Sequence, residues 1–358
     1  MLLELRPGLL TAWRGPGRLQ LGTGRRGVVL DGLDPAEERL LAALDGSLDA
    51  RGLEALAAQE GLPVARARHL LHVLGRAGAL VPRRTPRHRL LELPAPLRRR
   101  SAPDARVLCL AHPDGDGWHV LARRRRATAV VAGASRTGLG VARGLALAGV
   151  GTVLVEDDSA VTAADVGGGG FEDDDVGRPR GQRAAALVAA CAPGVRTAPE
   201  PGAGSLRPDV VVLVAGGALD ARRTEALVRE GVPHLPVLWR EDTTSVGPLV
   251  RPGASACARC VELHRTDRDP QWPRLVAQLA TAAPGGPARP EESSLAALTA
   301  ALATVQALAQ VDGVADPAAL DATLEASLPE GAVLVRPWSA HPRCGCTWPG
   351  DGPPPGPG

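Results

Sequence analysis

Residues 127–156 carry the feature that most limits how this chain folds. A strand-like run, ATAVVA at 127–132, leads into the turn GASRTG at 133–138. A helix to about Ala148 follows, then a second strand, TVLV at 152–155, that ends in the acid Glu156. Strand, glycine turn, helix, strand and acid make an α/β unit of the Rossmann type. The acid follows the first glycine at close to the ~20-residue spacing of a dinucleotide fingerprint. Each position has a physical reason. Gly133 permits the tight turn, and Gly138 lets the helix approach the strand. The helix N-terminus offers free N–H groups and partial positive charge to a phosphate. Glu156 accepts hydrogen bonds from a ribose diol. Ser135 stands where a second glycine is expected, and its Cβ crowds the meeting place of backbone and phosphate. A Rossmann-like sheet that binds no nucleotide is therefore the competing reading.

The chain contains no Lys, Asn, Ile or Tyr and a single Phe171, while Ala, Gly, Pro and Arg abound. The absent residues share AT-rich codons, so a GC-rich genome is the simplest cause. A core of Leu, Val and Ala is expected, with Arg as the strong base. The lack of Lys excludes a Schiff-base lysine and a P-loop lysine. It also makes a missing Lys weaker evidence of lost chemistry than a missing Arg or Asp. A formal net charge of +2 does not point to nucleic acid. The basic runs at 98–100 and 123–126 read as solvated linker or strand flank. The N-terminus has no signal-peptide pattern, and no uninterrupted apolar stretch of ~20 residues predicts a membrane span. A cytoplasmic protein is expected, where thiols stay reduced and clustered cysteines read as metal ligands.

Such clusters exist. Cys257-Ala-Arg-Cys260 and Cys344-Gly-Cys346 are two close pairs far apart in the chain. They are the makings of a tetrahedral thiolate zinc site with a structural role, because all four positions are filled. His264 and His341 read as bystanders. Cys109 and Cys191 lack the setting of a nucleophile.

Organisation follows composition. Residues 1–82 read as a small winged-helix-like α+β module. A hairpin (18–22 and 27–33) precedes a helix capped by Asp34-Pro35 and ended by Gly46, and two more helices lie at about 50–59 and 64–77. Residues 83–126 read as linker and connecting segment, 127–346 as the nucleotide-type domain, and 347–358 as a disordered tail. The apolar helix at about 294–311 is expected to be buried or at a subunit contact.

The segment from AVVAGASRTG through AGVGTVLVEDD to FEDDDVGRPR and the following helix resembles the ThiF/MoeB family of ubiquitin-activating-type adenylyltransferases. The resemblance implies ATP or AMP at Gly133, Ser135 and Gly138, ribose on Glu156, phosphate on Arg180 where the family has Lys, zinc on Cys257, Cys260, Cys344 and Cys346, and a homodimer. Two departures imply a degenerate site that does not adenylate. The family's Asn-x-x-Arg-Gln motif is missing around Gly167, and no Asp sits just after the strand at 209–214. Asp220 falls a few residues late for a magnesium ligand, and Asp173 to Asp175 are a fallback metal holder. Residues 33–81 resemble PqqD-like peptide-recognition domains, in which a leader peptide adds as an extra strand beside the hairpin, here near 28–30. A generic winged helix for packing or DNA is the alternative reading. Together the two resemblances imply a protein that grips a precursor leader peptide and presents it to a YcaO-type cyclodehydratase. The rival is an active adenylyltransferase for a ubiquitin-like or sulfur-carrier protein. The cysteine pairs and the acidic segment disfavour an NAD-dependent oxidoreductase.

Overall fold

The computed structural model describes residues 1–24, 27–83, 95–112, 115–167, 170–199, 207–280 and 289–347. Two compact units divide the chain, Met1–Ala122 and Arg123–Gly358. The tail expected to be disordered lies, but for its first residue, outside the described residues, as does part of the expected linker.

The first unit builds β1 (Leu2–Leu5), β2 (Thr11–Gly15), β3 (Arg18–Leu21), β4 (Val28–Leu30), α1 (Pro35–Ala42), β5 (Asp45–Asp49), α2 (Ala50–Gln59), α3 (Val64–Arg76), β6 (Leu80–Pro82) and α4 (Ala95–Ala111). They form two three-stranded sheets, ordered β5-β1-β6 and β2-β3-β4. The hairpin read from sequence is β3 against β4, with Leu19 opposite Leu30. Sequence reasoning missed β1, β2 and β5, which are short and lack period-2 alternation. Asp34 caps α1 through a capping box with Glu37, satisfying two end N–H groups at once. Gly46 does not end that helix. The helix stops at Ala42, and Gly46 sits in β5 at φ +80°. Leu21, Leu40, Leu53 and Leu74 make the core of this unit. Arg6 is buried and donates to the carbonyls of Gly78, Cys109 and His112, tying α4 to the strand region. The expected linker thus contains a helix anchored by a buried arginine.

After α5 (Gly117–Arg126), the second unit is a seven-stranded sheet. Its strands are β7 (Thr128–Ala132), β8 (Thr152–Glu156), β9 (Val210–Gly216), β10 (His234–Arg240), β11 (Thr243–Val246), β12 (Ala322–Ser327) and β13 (Val333–Pro337), in the order β13-β12-β11-β10-β9-β7-β8. β8, β7, β9 and β10 are parallel, and the other three strands continue antiparallel. The helices are α6 (Arg136–Leu147), α7 (Arg180–Cys191), α8 (Ala221–Arg229), α9 (Ala258–Arg268), α10 (Trp272–Ala280) and α11 (Ser293–Asp312). The strand order reverses at β7, with β8 on one side and β9 on the other. The carboxyl ends of β7 and β9 are therefore where an open α/β sheet places its ligand crevice.

Helix α11 is long and apolar enough by composition to cross a membrane. Half of it is buried here instead, with Ala303 and Ala307 in the main core and Gly140 of α6 set against Ala300. One arginine of the basic run at 123–126 also departs from expectation, while Arg123, Arg125 and Arg126 are exposed. Arg124 is not solvated. It donates twice to Asp312, at 2.8 and 2.6 Å, and once to the Ala148 carbonyl, with both charged side chains under a tenth exposed. A bidentate guanidinium–carboxylate pair satisfies both ions in a dry setting. Removing one partner strands the other charge. Asp312→Ala should cost about 3–5 kcal/mol in denaturant unfolding of this unit, whereas Asp316→Ala, an exposed carboxylate on Arg251, should cost under about 1 kcal/mol.

Candidate nucleotide cleft and thiolate metal centre

The glycine turn forms because backbone must pass backbone. A Cβ on Gly133, which lies at φ +97°, would stand 2.2 Å from the Val214 carbonyl oxygen of β9. One on Gly138 would stand 1.9 Å from the Gly133 carbonyl oxygen. Ser135 is accommodated by a different route from a glycine. It is the N-cap of α6, and its Oγ accepts from the Gly138 N–H at 3.4 Å, so the hydroxyl caps the helix instead of crowding it.

The turn opens on a cleft of ≈ 880 Å³ lined by Gly133, Glu156, Asp157, Pro179, Gln182 and Arg223. Glu156 ends β8 at its rim, half-exposed, with Arg223 as ion-pair partner. Arg180 is placed at the same end of the sheet, at the start of α7. Its guanidinium is already engaged, however. It donates to Asp157 at 2.9 Å and to Asp165 at 3.0 Å. Asp157 also accepts the Ala134 N–H of the glycine turn, at 2.7 Å. Burial pushes the Asp157 carboxyl up, but the Ala134 and Ser159 N–H groups and the Arg180 charge outweigh it and hold the group below the usual carboxylate range. The cation expected to meet phosphate is therefore neutralised within the chain.

Sequence reasoning missed Asp157 and Asp165. Asp157 was visible as the neighbour of Glu156 in the run EDD. Asp165 stands in the segment where the family motif is missing. A third missed residue is Arg136. From within the glycine turn its guanidinium donates to the Val166 carbonyl at 2.9 Å. An arginine thus stands beside the segment around Gly167 although none is encoded there. Asp220 caps α8, accepting from the Arg222 N–H. The backbone at the end of β9, Gly216 and Gly217, lies under the Arg289 side chain. Asp175 is buried against Arg183 at 2.5 Å, so that carboxylate of the acidic run holds the fold.

The four cysteines converge. Cys257 Sγ lies 3.9 Å from Cys260 Sγ and 3.5 Å from Cys344 Sγ, and Cys260 Sγ lies 3.3 Å from Cys346 Sγ. All four sulfurs fall within 4.8 Å of one another. A tetrahedron with Zn–S bonds of ~2.3 Å has sulfurs ~3.8 Å apart, so the set fits such an ion. The one-residue spacing of the second pair works because Gly345 takes φ +75°, a left-handed turn that a side chain would disfavour. The Cys257 thiol and the His341 N–H hold the Cys260 thiol down at about 4, whereas burial pushes Cys346 up to about 12. Without a cation the four cannot all be thiolates, so metal binding releases protons.

His264, Asp267 and His341 also come within 4.8 Å of one another. Both His341 nitrogens are in use, Nδ1 accepting from the Arg343 N–H and Nε2 facing Asp267 at 2.8 Å. The group steadies the loop that carries Cys344. Cys109 is buried, and burial pushes its thiol up, the opposite of what a nucleophile needs.

No protein-family model matches the sequence, and no curated protein matches it. Solved structures do match, over nearly the whole chain. Escherichia coli MccB in a structure with succinimide superposes with a TM-score of 0.70 at 15% identity, covering 97% of this chain and 99% of that one. MccB with ATP gives 0.68 at 15% over the same shares, and PaaA gives 0.61 at 15%, covering 93% and 99%. Other matching structures hold MccB with the peptide MccA, one of them with N-formylated MccA. The chain therefore has an MccB-type fold over nearly its whole length.

Elemental analysis of the purified, reduced protein should find about one zinc per chain. Cys257→Ser should lose the metal and lower the melting temperature of the second unit, because the energy of a structural zinc site is also folding energy. A metal-free wild type that melts like the variant would sink the assignment.

Proposed function

We propose that this protein binds a precursor leader peptide through its first unit and presents it to a peptide-modifying partner, a YcaO-type cyclodehydratase, while its own nucleotide site no longer adenylates. The observation that carries this reading is the state of Arg180. Adenylation needs free cations to offset charge developing at the α-phosphate. Here the arginine expected to supply that charge is shared between Asp157 and Asp165. Peptide binding draws support from the MccB structures that hold MccA. Within this chain it draws support from β4, an outer strand of the β2-β3-β4 sheet. Such an edge offers unpaired backbone groups to an added strand. The four thiolates hold structural zinc, with no open position for water. A homodimer is part of the proposal, and the exposed Leu147 and Val305 on α6 and α11 are its suggested contact.

One observation favours the rival, an active adenylyltransferase. Arg136 reaches Val166 and offers a cation beside the place where the motif arginine is lost. Pyrophosphate exchange with ATP, magnesium and candidate peptides separates the two readings. The expected result is no exchange above background. Steady exchange that disappears in both Arg136→Ala and Arg180→Ala would establish the rival. Peptide binding is checked by amide hydrogen exchange of the full chain with precursor peptides encoded beside its gene. Protection should rise at residues 28–30, and protection confined to other strands would rule out this edge.

A further inference from the structure

The donors that a nucleotide phosphate would use are already bound to a carboxylate of this chain. Glu291 lies just ahead of α11, far from the glycine turn in sequence. Its Oε1 accepts from the Thr137 N–H at 3.1 Å and from the Ser135 hydroxyl at 3.4 Å. These are groups at the first turn of α6, where partial positive charge draws anions. The same segment is fastened on both sides. Arg136 donates to the Glu291 carbonyl at 3.1 Å and to the Ser293 hydroxyl at 2.9 Å. Glu292 caps α11 by accepting from Leu295, and Arg289 crosses Gly216 and Gly217. With Asp157 on Ala134, the N–H groups of residues 134 and 137 are both taken by carboxylates. Burial pushes the Glu291 carboxyl up, only partly offset by the Thr137 and Ser135 hydrogen bonds.

We infer that Glu291 sets the ligand specificity of the glycine turn by acting as an internal competitor for phosphate, so that a nucleotide binds only when residues 289–292 give up this contact. The inference rests on the reading of this cleft as a nucleotide remnant and adds the residue that decides whether it fills. Two anions cannot share these donors, since each needs the same N–H groups and repels the other. When the competent state is only a fraction of the population, apparent affinity falls by that fraction. A strap seated about nine-tenths of the time weakens binding about tenfold.

The test is calorimetric titration of AMP into the full-length protein without magnesium. Glu291→Ala should bind AMP at least about tenfold more tightly than the wild type. Glu291→Gln, which keeps the volume and removes the charge, should show a smaller gain in the same direction. Adding Glu156→Ala should abolish the gain, which places AMP in this cleft. Wild-type or weaker AMP affinity in Glu291→Gln at an unchanged melting temperature overturns the proposal, even if Glu291→Ala folds poorly. The peptide reading is judged separately. Exchange protection at residues 28–30 does not depend on AMP, and pyrophosphate exchange appearing in Glu291→Ala would establish adenylation while leaving Glu291 as competitor.

Discussion

The close passage of backbone at Gly133 and Gly138 is the constraint on which the second unit turns. Two carbonyl oxygens, of Val214 and of Gly133, occupy the space that Cβ atoms would need there. That contact seats α6 directly against β7 and β9 and aims its first turn at the carboxyl ends of both strands. It also sets α6 deep enough for α11 to pack on it through Gly140 and Gly144, whose missing side chains leave room for Ala300 and Thr304. The cleft, the burial of α11 and the Arg124–Asp312 pair at the far end of that helix all follow from this placement.

Within the crevice, electrostatics decide more than shape. The cleft is open and the turn is well formed, yet its positive features are answered from inside the chain. Asp157 takes the Ala134 N–H, Asp157 and Asp165 share Arg180, Arg223 meets Glu156, and Glu291 covers Thr137. Buried or half-buried ions persist when paired, and here the pairing is local. The donors at the glycine turn are met by anions of the same chain. The thiolate centre has the opposite character. Its four sulfurs lie within 4.8 Å of one another and form a closed set that could hold a metal ion.

Much of this was legible in the sequence. The β7–α6–β8 unit followed from GASRTG between two apolar strands, whereas the antiparallel strands β11, β12 and β13 did not. The helices α1, α2 and α3 followed from Asp34-Pro35 and from Leu spacing. The convergence of the cysteine pairs followed from their spacing in a chain expected to stay reduced. The first-unit strands β1, β2 and β5 were not legible, because short strands held by long-range pairing leave no local period. Nor was the burial of Arg124, whose neighbours in a run of four arginines have the same local composition but not the same depth.

The sequence by itself determined which chemical groups exist and which local turns are possible. It supplied a glycine turn, an acid at the end of the next strand, an arginine after Gly-Arg-Pro, and two cysteine pairs. Only the tertiary structure decided whether those groups are free. Glu291 and Thr137 are separated by most of the second unit, as are Arg124 and Asp312, and no local pattern marks either pair. Whether a charge stands ready for a ligand or is engaged in the fold depends on which partner the packing brings within about 3 Å. That distance is set by the assembled sheet and helices, not by any segment alone.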